Sequence, residues 1–350
     1  MYLRNAWYMA GWAHEVNKGP IGRTLLDEPV VLYRDHNGRV AALEDRCCHR
    51  GAPLSLGEVA ENGLRCGYHG LVFDSEGKCV EVPGQSRIPE RTRVKSYPMV
   101  EKNEIMWIWM GAAEKADPSQ ILDYPWHDDH QNWPHKHAIL PVKCNYILLV
   151  ENLMDLTHLG YVHRNTIGGN PKAHVEAKMK TTTTAQGVKY TRWMLNSIPP
   201  PTYKAGAPHL AERVDRWQEF DWRAPGYIIQ HSGAIDANTG AYDQGKREGG
   251  FSLRLFHGIT PETESSCFYF WSAANGYRQD DPSATEQLFE QIRITFDEDI
   301  AFVEGQQRRT EKYCMDQLVD IDSDGARLQM GRYLQRRIDQ ENGIDQVAAE

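Results

Sequence analysis

The sequence predicts an α+β protein of two blocks, an all-β block first and then antiparallel strands gathered around a long C-terminal helix. Three observations predict it. Short apolar runs broken by turn residues fill positions 22–111, longer runs of the same kind fill 181–275, and apolar residues recur at helical spacing over 284–307. With 350 residues the chain has room for two sizeable cores.

In the first block, residues 1–115, the runs TLL, VVLYR and VAALE are followed by LVFD and CVEV, and Asn37-Gly38 between two of them is a hairpin signal. IMWIWMG closes the block as a strand whose tryptophans belong to the core. Residues 116–136 read as a linker. Its His127, Asp128, Asp129, His130 and His135, with His137 just beyond, read as a Pro-flanked polar stretch rather than a metal site. The second block, residues 137–350, opens on the strand-like ILPVKCNYILLV and continues into ENLMDLTHLG as helix. Strands follow at TTTTAQGVKYTRWML, RWQEFDW, GYIIQHSG, FSLRLFHGI and SSCFYFWSAAN. The Pro-rich IPPPTYKAGAPH and the segment 232–250 read as loops covering an internal cavity.

Composition excludes several classes. A net charge of -9 argues against nucleic acid, since phosphate binding needs a basic face. No apolar run is long enough to span a bilayer, and the start of the chain lacks an apolar leader core, so a cytoplasmic location is expected. Seven cysteines is an odd number, and Cys48, Cys79, Cys144, Cys267 and Cys314 are scattered, which argues against a disulfide framework.

The remaining two cysteines carry the chemistry. Cys47-x-His49 and Cys66-x-x-His69 each offer one thiolate and one imidazole. A single structural zinc takes both near ligands of a knuckle; two mixed half-sites instead suit a [2Fe-2S] cluster with cysteines on one iron and histidines on the other, the Rieske arrangement. A mixed-ligand zinc ribbon is the competing reading. Cys48, between two of the ligands, should point away because neighbouring side chains alternate.

An electron carried by such a cluster needs a destination, and NLMDLTHLGYVH offers Asp155, His158 and His163. On an ideal helix the two histidines diverge by about 140°. The helix must therefore end or distort near Gly160 if both are to bind one ion. Asp155 and His158 share a face, so Asp155 could hold His158 by a hydrogen bond or be a ligand itself. On the C-terminal helix Leu288, Ile292, Phe296 and Val303 form an apolar stripe, and Asp299 falls about 20° from Leu288 while Asp297 and Glu298 fall off it. A carboxylate aimed at a core needs a cation. That cation is either an arginine or, with His158, His163 and Asp299 as a 2-His-1-carboxylate triad, Fe(II).

With these residues in place, the chain resembles the Rieske non-heme iron oxygenases, in particular the group of vanillate O-demethylase, toluenesulfonate methyl-monooxygenase and dicamba O-demethylase. NAWY, CCHRGAPLSLG, VPGQ, NLMDLTH and ITPETE carry the resemblance. It implies an N-terminal Rieske domain, a helix-grip catalytic domain, and a homotrimer in which Asp155 bridges the cluster of one subunit and the iron of the next. It also implies that Asn152 lies near the iron, that Asp299 is its third ligand, and that His257 contacts a substrate carboxylate. The implied partners are O₂, a small aromatic acid and a separate flavin/[2Fe-2S] reductase supplying NAD(P)H electrons; no Rossmann fingerprint is present here. The implied reaction is O-demethylation or methyl hydroxylation, with ring cis-dihydroxylation or a non-catalytic electron carrier as alternatives. His231 is a weaker substrate contact than His257.

Overall fold

The computed structural model describes residues 1–313 and 318–344, so Cys314 lies outside the described residues. The chain forms two compact units. The first comprises Met1–Tyr124 with Thr260–Glu264. Its strands are β1 (Trp7–Trp12), β2 (Ile21–Leu25), β3 (Glu28–Arg34), β4 (Val40–Glu44), β5 (Glu58–Ala60), β6 (Gly63–Arg65), β7 (Val72–Phe73), β8 (Cys79–Glu81), β9 (Ser96–Tyr97), β10 (Met99–Lys102) and β11 (Ile105–Trp109). They make three antiparallel sheets, ordered β1-β11-β10, β2-β3-β4-β9 and β5-β6-β7-β8. β11 is buried along its whole length, which is why IMWIW is continuously apolar rather than alternating. Between β3 and β4 the Asp35 carboxylate accepts from the backbone of Asn37 and Arg39, and Gly38 takes φ 79°. A core of Val31, Tyr33, Leu43, Leu54, Leu64 and Phe73 also contains Cys47 and Cys66.

The second unit comprises 125–259 and the described residues from 265 on. Its strands are β12 (His135–Val142), β13 (Lys178–Thr183), β14 (Gly187–Ser197), β15 (Val214–Arg223), β16 (Tyr227–Asp236), β17 (Phe251–Thr263, whose residues from Thr260 on count with the first unit) and β18 (Ser266–Asn275). They form one antiparallel sheet ordered β12-β18-β17-β16-β15-β14-β13. Its helices are α1 (Tyr146–Met154), α2 (Leu159–Val162), α3 (Pro171–Val175), α4 (Pro201–Gly206), α5 (Ala241–Gln244), α6 (Pro282–Thr310) and α7 (Gly325–Glu341). The long α6 packs on the sheet through Phe289 stacked on Trp271 (ring centroids 4.7 Å) and Phe296 against Tyr269 and Trp271 (5.0 Å each).

Several local expectations change. NYILLV is helix, not strand, because the Asn145 side chain caps the Ile147 amide at 3.0 Å and starts α1. The Pro-rich segment contains α4, and β16 continues through Asp236 into the stretch read as loop. α6 starts at Pro282, where Asp281 accepts from the Ser283 amide at 2.9 Å. α7 was not anticipated; its buried Ala326, Met330, Tyr333, Leu334 and Ile338 lie on one helical face among many charged residues.

Gly305 sits inside α6, where an added Cβ would meet nothing closer than Arg308 Nη2 at 3.9 Å. Gly305→Ala is expected to stabilise the protein by about 0.5–1 kcal/mol, as helix interiors disfavour glycine. A raised urea midpoint checks this, and a lowered one would contradict the packing described.

Candidate metal centres

Two loops of the first unit have the same construction. In one, the Cys47 amide donates to the Ala52 carbonyl and the Gly51 amide to the Cys47 carbonyl, both at 2.8 Å. In the other, the Cys66 amide donates to Leu71 at 2.8 Å and the Gly70 amide to Cys66 at 3.0 Å. Gly51 and Gly70 both take a left-handed φ (71° and 75°), closing each loop tightly around its cysteine. The Asp45 carboxylate accepts from the Ser55 amide and hydroxyl at 2.7 and 2.6 Å, fixing the first loop. The loops also touch: a Cβ on Gly67 would stand 2.6 Å from the Leu56 carbonyl oxygen.

The twin loops sort their ligand atoms by depth. Cys47 and Cys66 are buried, whereas His49 and His69 are exposed with ring centroids 4.5 Å apart. Cys48 is exposed beside buried Cys47, so neighbours do point apart. Burial pushes the Cys47 thiol up to about 11, with Cys66 adding to the rise and the His49 backbone opposing it. A buried thiol that resists ionisation, as Cys47 does, needs a metal to hold it as a thiolate. Two thiols inside and two imidazoles outside suit the mixed ligation of a Rieske cluster.

The second unit brings another set together. Ligand atoms of His158, His163 and Asp299 all lie within 4.8 Å of one another. His158 Nε2 is 3.4 Å and His163 Nε2 3.1 Å from the same oxygen, Asp299 Oδ1. The opposite ring atoms explain the orientation. His158 Nδ1 donates to the Asp155 main-chain carbonyl at 2.6 Å, and His163 Nδ1 donates to Glu298 Oε2 at 2.7 Å. With each Nδ1 carrying its hydrogen, both Nε2 lone pairs converge on a carboxylate oxygen. Three acceptors meeting at one point repel unless a cation or an added proton sits among them. Burial alone would raise the Asp299 carboxyl, but the two histidines that face it hold it down to about 2, so it is an anion. His163 is disfavoured as a cation by burial, yet Asp299 and Glu298 raise it. The donor set fits one divalent ion.

The local chain path makes this possible. α1 stops at Met154 because the Asp155 carboxylate turns back to accept from the Thr157 amide (2.9 Å) and hydroxyl (2.7 Å). The distortion expected near Gly160 therefore lies earlier, at Asp155–Thr157. His158 and His163 flank α2 as its caps, and Gly160 inside α2 leaves room for Pro171, whose Cα would be 2.6 Å from an added Cβ. Asp155 serves His158 through its main chain rather than its carboxylate. Asn152 donates from Nδ2 to Asp299 Oδ1 at 3.2 Å, leaving its buried Oδ1 unpartnered. Glu298 was passed over in the sequence because it falls off the apolar stripe; its position beside Asp299 was the available signal.

Other candidates separate from this set. His257 is fully buried, accepts at Nδ1 from Tyr269 Oη (2.6 Å) and donates from Nε2 to Gln230 Oε1 (2.9 Å). Burial drives it down to about 3, so its ring is neutral. Register places His231 on the opposite face of the sheet from His257, bonded to Glu219 at 3.3 Å and Ser252 at 3.1 Å. His127 is buried on Ser272 Oγ at 2.7 Å.

Comparison with known proteins gives the family and the kinds of cofactor. Residues 6–98 match the Rieske [2Fe-2S] domain, and residues 142–340 match the vanillate O-demethylase oxygenase C-terminal domain. The chain belongs to the Rieske non-heme iron oxygenases. It is 40% identical to the toluene-4-sulfonate monooxygenase system iron-sulfur subunit of Comamonas testosteroni, over 98% of this chain and 99% of the relative. It is 38% identical to a vanillate O-demethylase oxygenase subunit of a Pseudomonas strain, over 96% and 95%. Among solved structures it matches dicamba monooxygenase bound to dicamba, with a TM-score of 0.89, 32% identity, and 98% and 99% of the two chains covered. This Rieske oxygenase is thus an oxidoreductase with a [2Fe-2S] cluster and a mononuclear non-heme iron, the oxygenase component of a monooxygenase that uses O₂ and draws on a separate reductase. The zinc-ribbon and electron-carrier readings fall. Among the described residues no helix is long and apolar enough to cross a membrane.

Gly67→Ala is expected to force the two cysteine loops apart, because its Cβ would strike a backbone oxygen. Visible cluster absorbance per chain should drop while the mononuclear iron site persists. Full absorbance would show that the loops do not meet there.

Proposed function

We propose that this oxygenase oxidises a methyl or methoxy group of a small aromatic acid. Cys47, His49, Cys66 and His69 hold the cluster, and His158, His163 and Asp299 hold the iron. The observation that carries the iron assignment is the convergence of two Nε2 atoms on Asp299 Oδ1. The substrate class follows relatives named for toluene-4-sulfonate, vanillate and dicamba. Those names favour O-demethylation or methyl hydroxylation over ring cis-dihydroxylation.

When bound, the iron supplies oxidation of a C–H bond by O₂. The chain supplies the geometry. Asp155 and Glu298 hold the Nδ1 hydrogens, Asp299 brings the anionic donor, and Asn152 steadies Asp299 by its amide hydrogens. His257 lies on the substrate side as a neutral hydrogen-bonding wall. The Asp155 carboxylate couples the cluster of one subunit with the iron of its neighbour in a cytoplasmic homotrimer, fed by a flavin/[2Fe-2S] reductase that uses NAD(P)H.

Three outcomes test this. Asp299→Ala should lose mononuclear iron, measured by metal content, while the reduced cluster keeps its electron paramagnetic resonance signal; retained iron refutes the ligand. Asp155→Asn should keep both metals, because His158 is held by the main-chain carbonyl, and lose turnover by ~100-fold, the scale of losing an outer partner of a metal site; near-normal turnover refutes the coupling. A screen of aryl methyl ethers, methylarenesulfonates and benzoates with a generic reductase should release formaldehyde or a benzylic alcohol. Formation of cis-diols would replace the proposed reaction.

A further inference from the structure

The sheet face that meets α6 buries polar and charged residues among its apolar ones. Alternate residues of a strand share a face, and His257 of β17, with its ring 5.7 Å from that of Phe296 on α6, marks the covered one. Across the registered pairs the same face holds Gln230 and Ser232 on β16, Arg216 and Gln218 on β15, and Arg192 on β14. All are buried, and both arginines have no exposed surface.

Among the described residues neither arginine makes an ion pair, although the Asp155 carboxylate lies close enough to Arg192 to favour its charge, and no carboxylate does so for Arg216. Arg192 donates to the carbonyls of Leu156 (2.5 Å) and His174 (2.9 Å), with Gln218 Oε1 at 3.4 Å. Arg216 donates to the carbonyls of Gly168 (3.2 Å) and Ile167 (3.1 Å), and its guanidinium lies 5.1 Å from the centre of the Tyr203 ring. No carboxylate stands within ion-pair distance of either among the described residues, and the buried Nε of each has no partner. The carbonyls they hold flank the metal ligands: Leu156 precedes His158, while Ile167 and Gly168 follow His163. A buried cation without an anion costs several kcal/mol, and carbonyl dipoles offset part of it. Arg216 in particular, beside an iron segment and without a nearby carboxylate, leaves a charge to be answered.

We propose that Arg192 and Arg216 form the acid-binding subsite of the enzyme. The carboxylate or sulfonate of the substrate takes the free Nε–H edges, Gln218 lies alongside, and the methyl or methoxy end is presented to the iron. This rests on the oxygenase reading above and supplies the positive charge that neutral His257 lacks.

The test is calorimetric binding to the oxygenase with both metals loaded. The probes are toluene-4-sulfonate and vanillate against toluene-4-sulfonamide and vanillamide, which keep the rings and lose the charge. Wild-type protein should prefer an acid over its amide by ~100-fold, and Arg216→Gln should weaken the acid by ~30–100-fold while moving the amide less than ~3-fold, the scale of one charge-assisted hydrogen-bonded contact. A variant that retains both metals and an unchanged acid-to-amide ratio overturns the subsite, as does a wild type without acid preference. Arg216→Lys, which keeps the charge, should recover part of the preference. Should Arg216→Gln fail to fold, the wild-type structure with 4-bromobenzoate decides: a carboxylate within hydrogen-bond reach of either guanidinium supports the subsite, and one elsewhere overturns it. Oxidation of neutral ethers by a protein lacking acid preference would sink the subsite and leave the oxygenase reading intact. Acids that bind but are never oxidised would do the reverse.

Discussion

The iron centre depends on the position of two hydrogens. If His158 and His163 carried them on Nε2, each ring would present a donor to the Asp299 carboxylate and no lone pair to a metal. The Asp155 carbonyl and the Glu298 carboxylate prevent that by claiming the Nδ1 hydrogens at 2.6 and 2.7 Å. α6 contributes twice to one ring, since adjacent Glu298 and Asp299 sit at opposite nitrogens of His163. The carbonyl is available because α1 ends before Asp155, and α1 ends there because the same residue's carboxylate folds back onto Thr157. A single aspartate thus stops a helix with its side chain and orients a ligand with its main chain.

The cluster site obeys a different constraint, that of two loops sharing a core with the strands that carry them. Cys47 and Cys66 pack with Val31, Leu43, Leu54 and Phe73, so the hydrophobic collapse of the first unit delivers both thiols to one place. The histidines stay at the surface. A cluster held by these four residues, as proposed, would have its thiolate side buried and its imidazole side exposed, an arrangement suited to passing an electron outward.

The sequence made part of this legible. The half-sites at Cys47/His49 and Cys66/His69, the histidine segment and the helical placement of Asp299 follow from spacing and periodicity, because side-chain chemistry at fixed offsets is written directly in residue order. Hydrogen bonds to main-chain carbonyls are not. The grip of Glu298 on His163 and the bond from Asn152 to Asp299 depend on tertiary approach across more than a hundred positions of chain, to which local patterns are blind, whereas the break at Asp155 is a local turn onto Thr157. The same applies to NYILLV, whose strand-like composition yields to the Asn145 cap, and to α7, whose charged face masks its buried stripe. Arg192 and Arg216 were invisible for a simpler reason: an arginine in an alternating strand reads as solvent-facing, and here it faces inward.

That inward charge bears on selectivity. Neutral His257, Gln230 and Ser232 form a wall able to orient a ligand by hydrogen bonds, but dipoles alone discriminate weakly between an acid and its uncharged analogue. Divalent iron with two neutral imidazoles, Asp299 and the Glu298 carboxylate on His163 would come close to neutral, so the excess positive charge rests on the guanidiniums, on Arg216 above all since Asp155 lies near Arg192. In a medium of low dielectric such an excess is relieved most effectively by an anion that arrives without its own counter-ion. An aromatic acid meets that condition, whereas a neutral arene would leave the interior charged after binding. Under the proposed subsite, a preference for an acid would therefore reside in residues that never approach the reacting carbon.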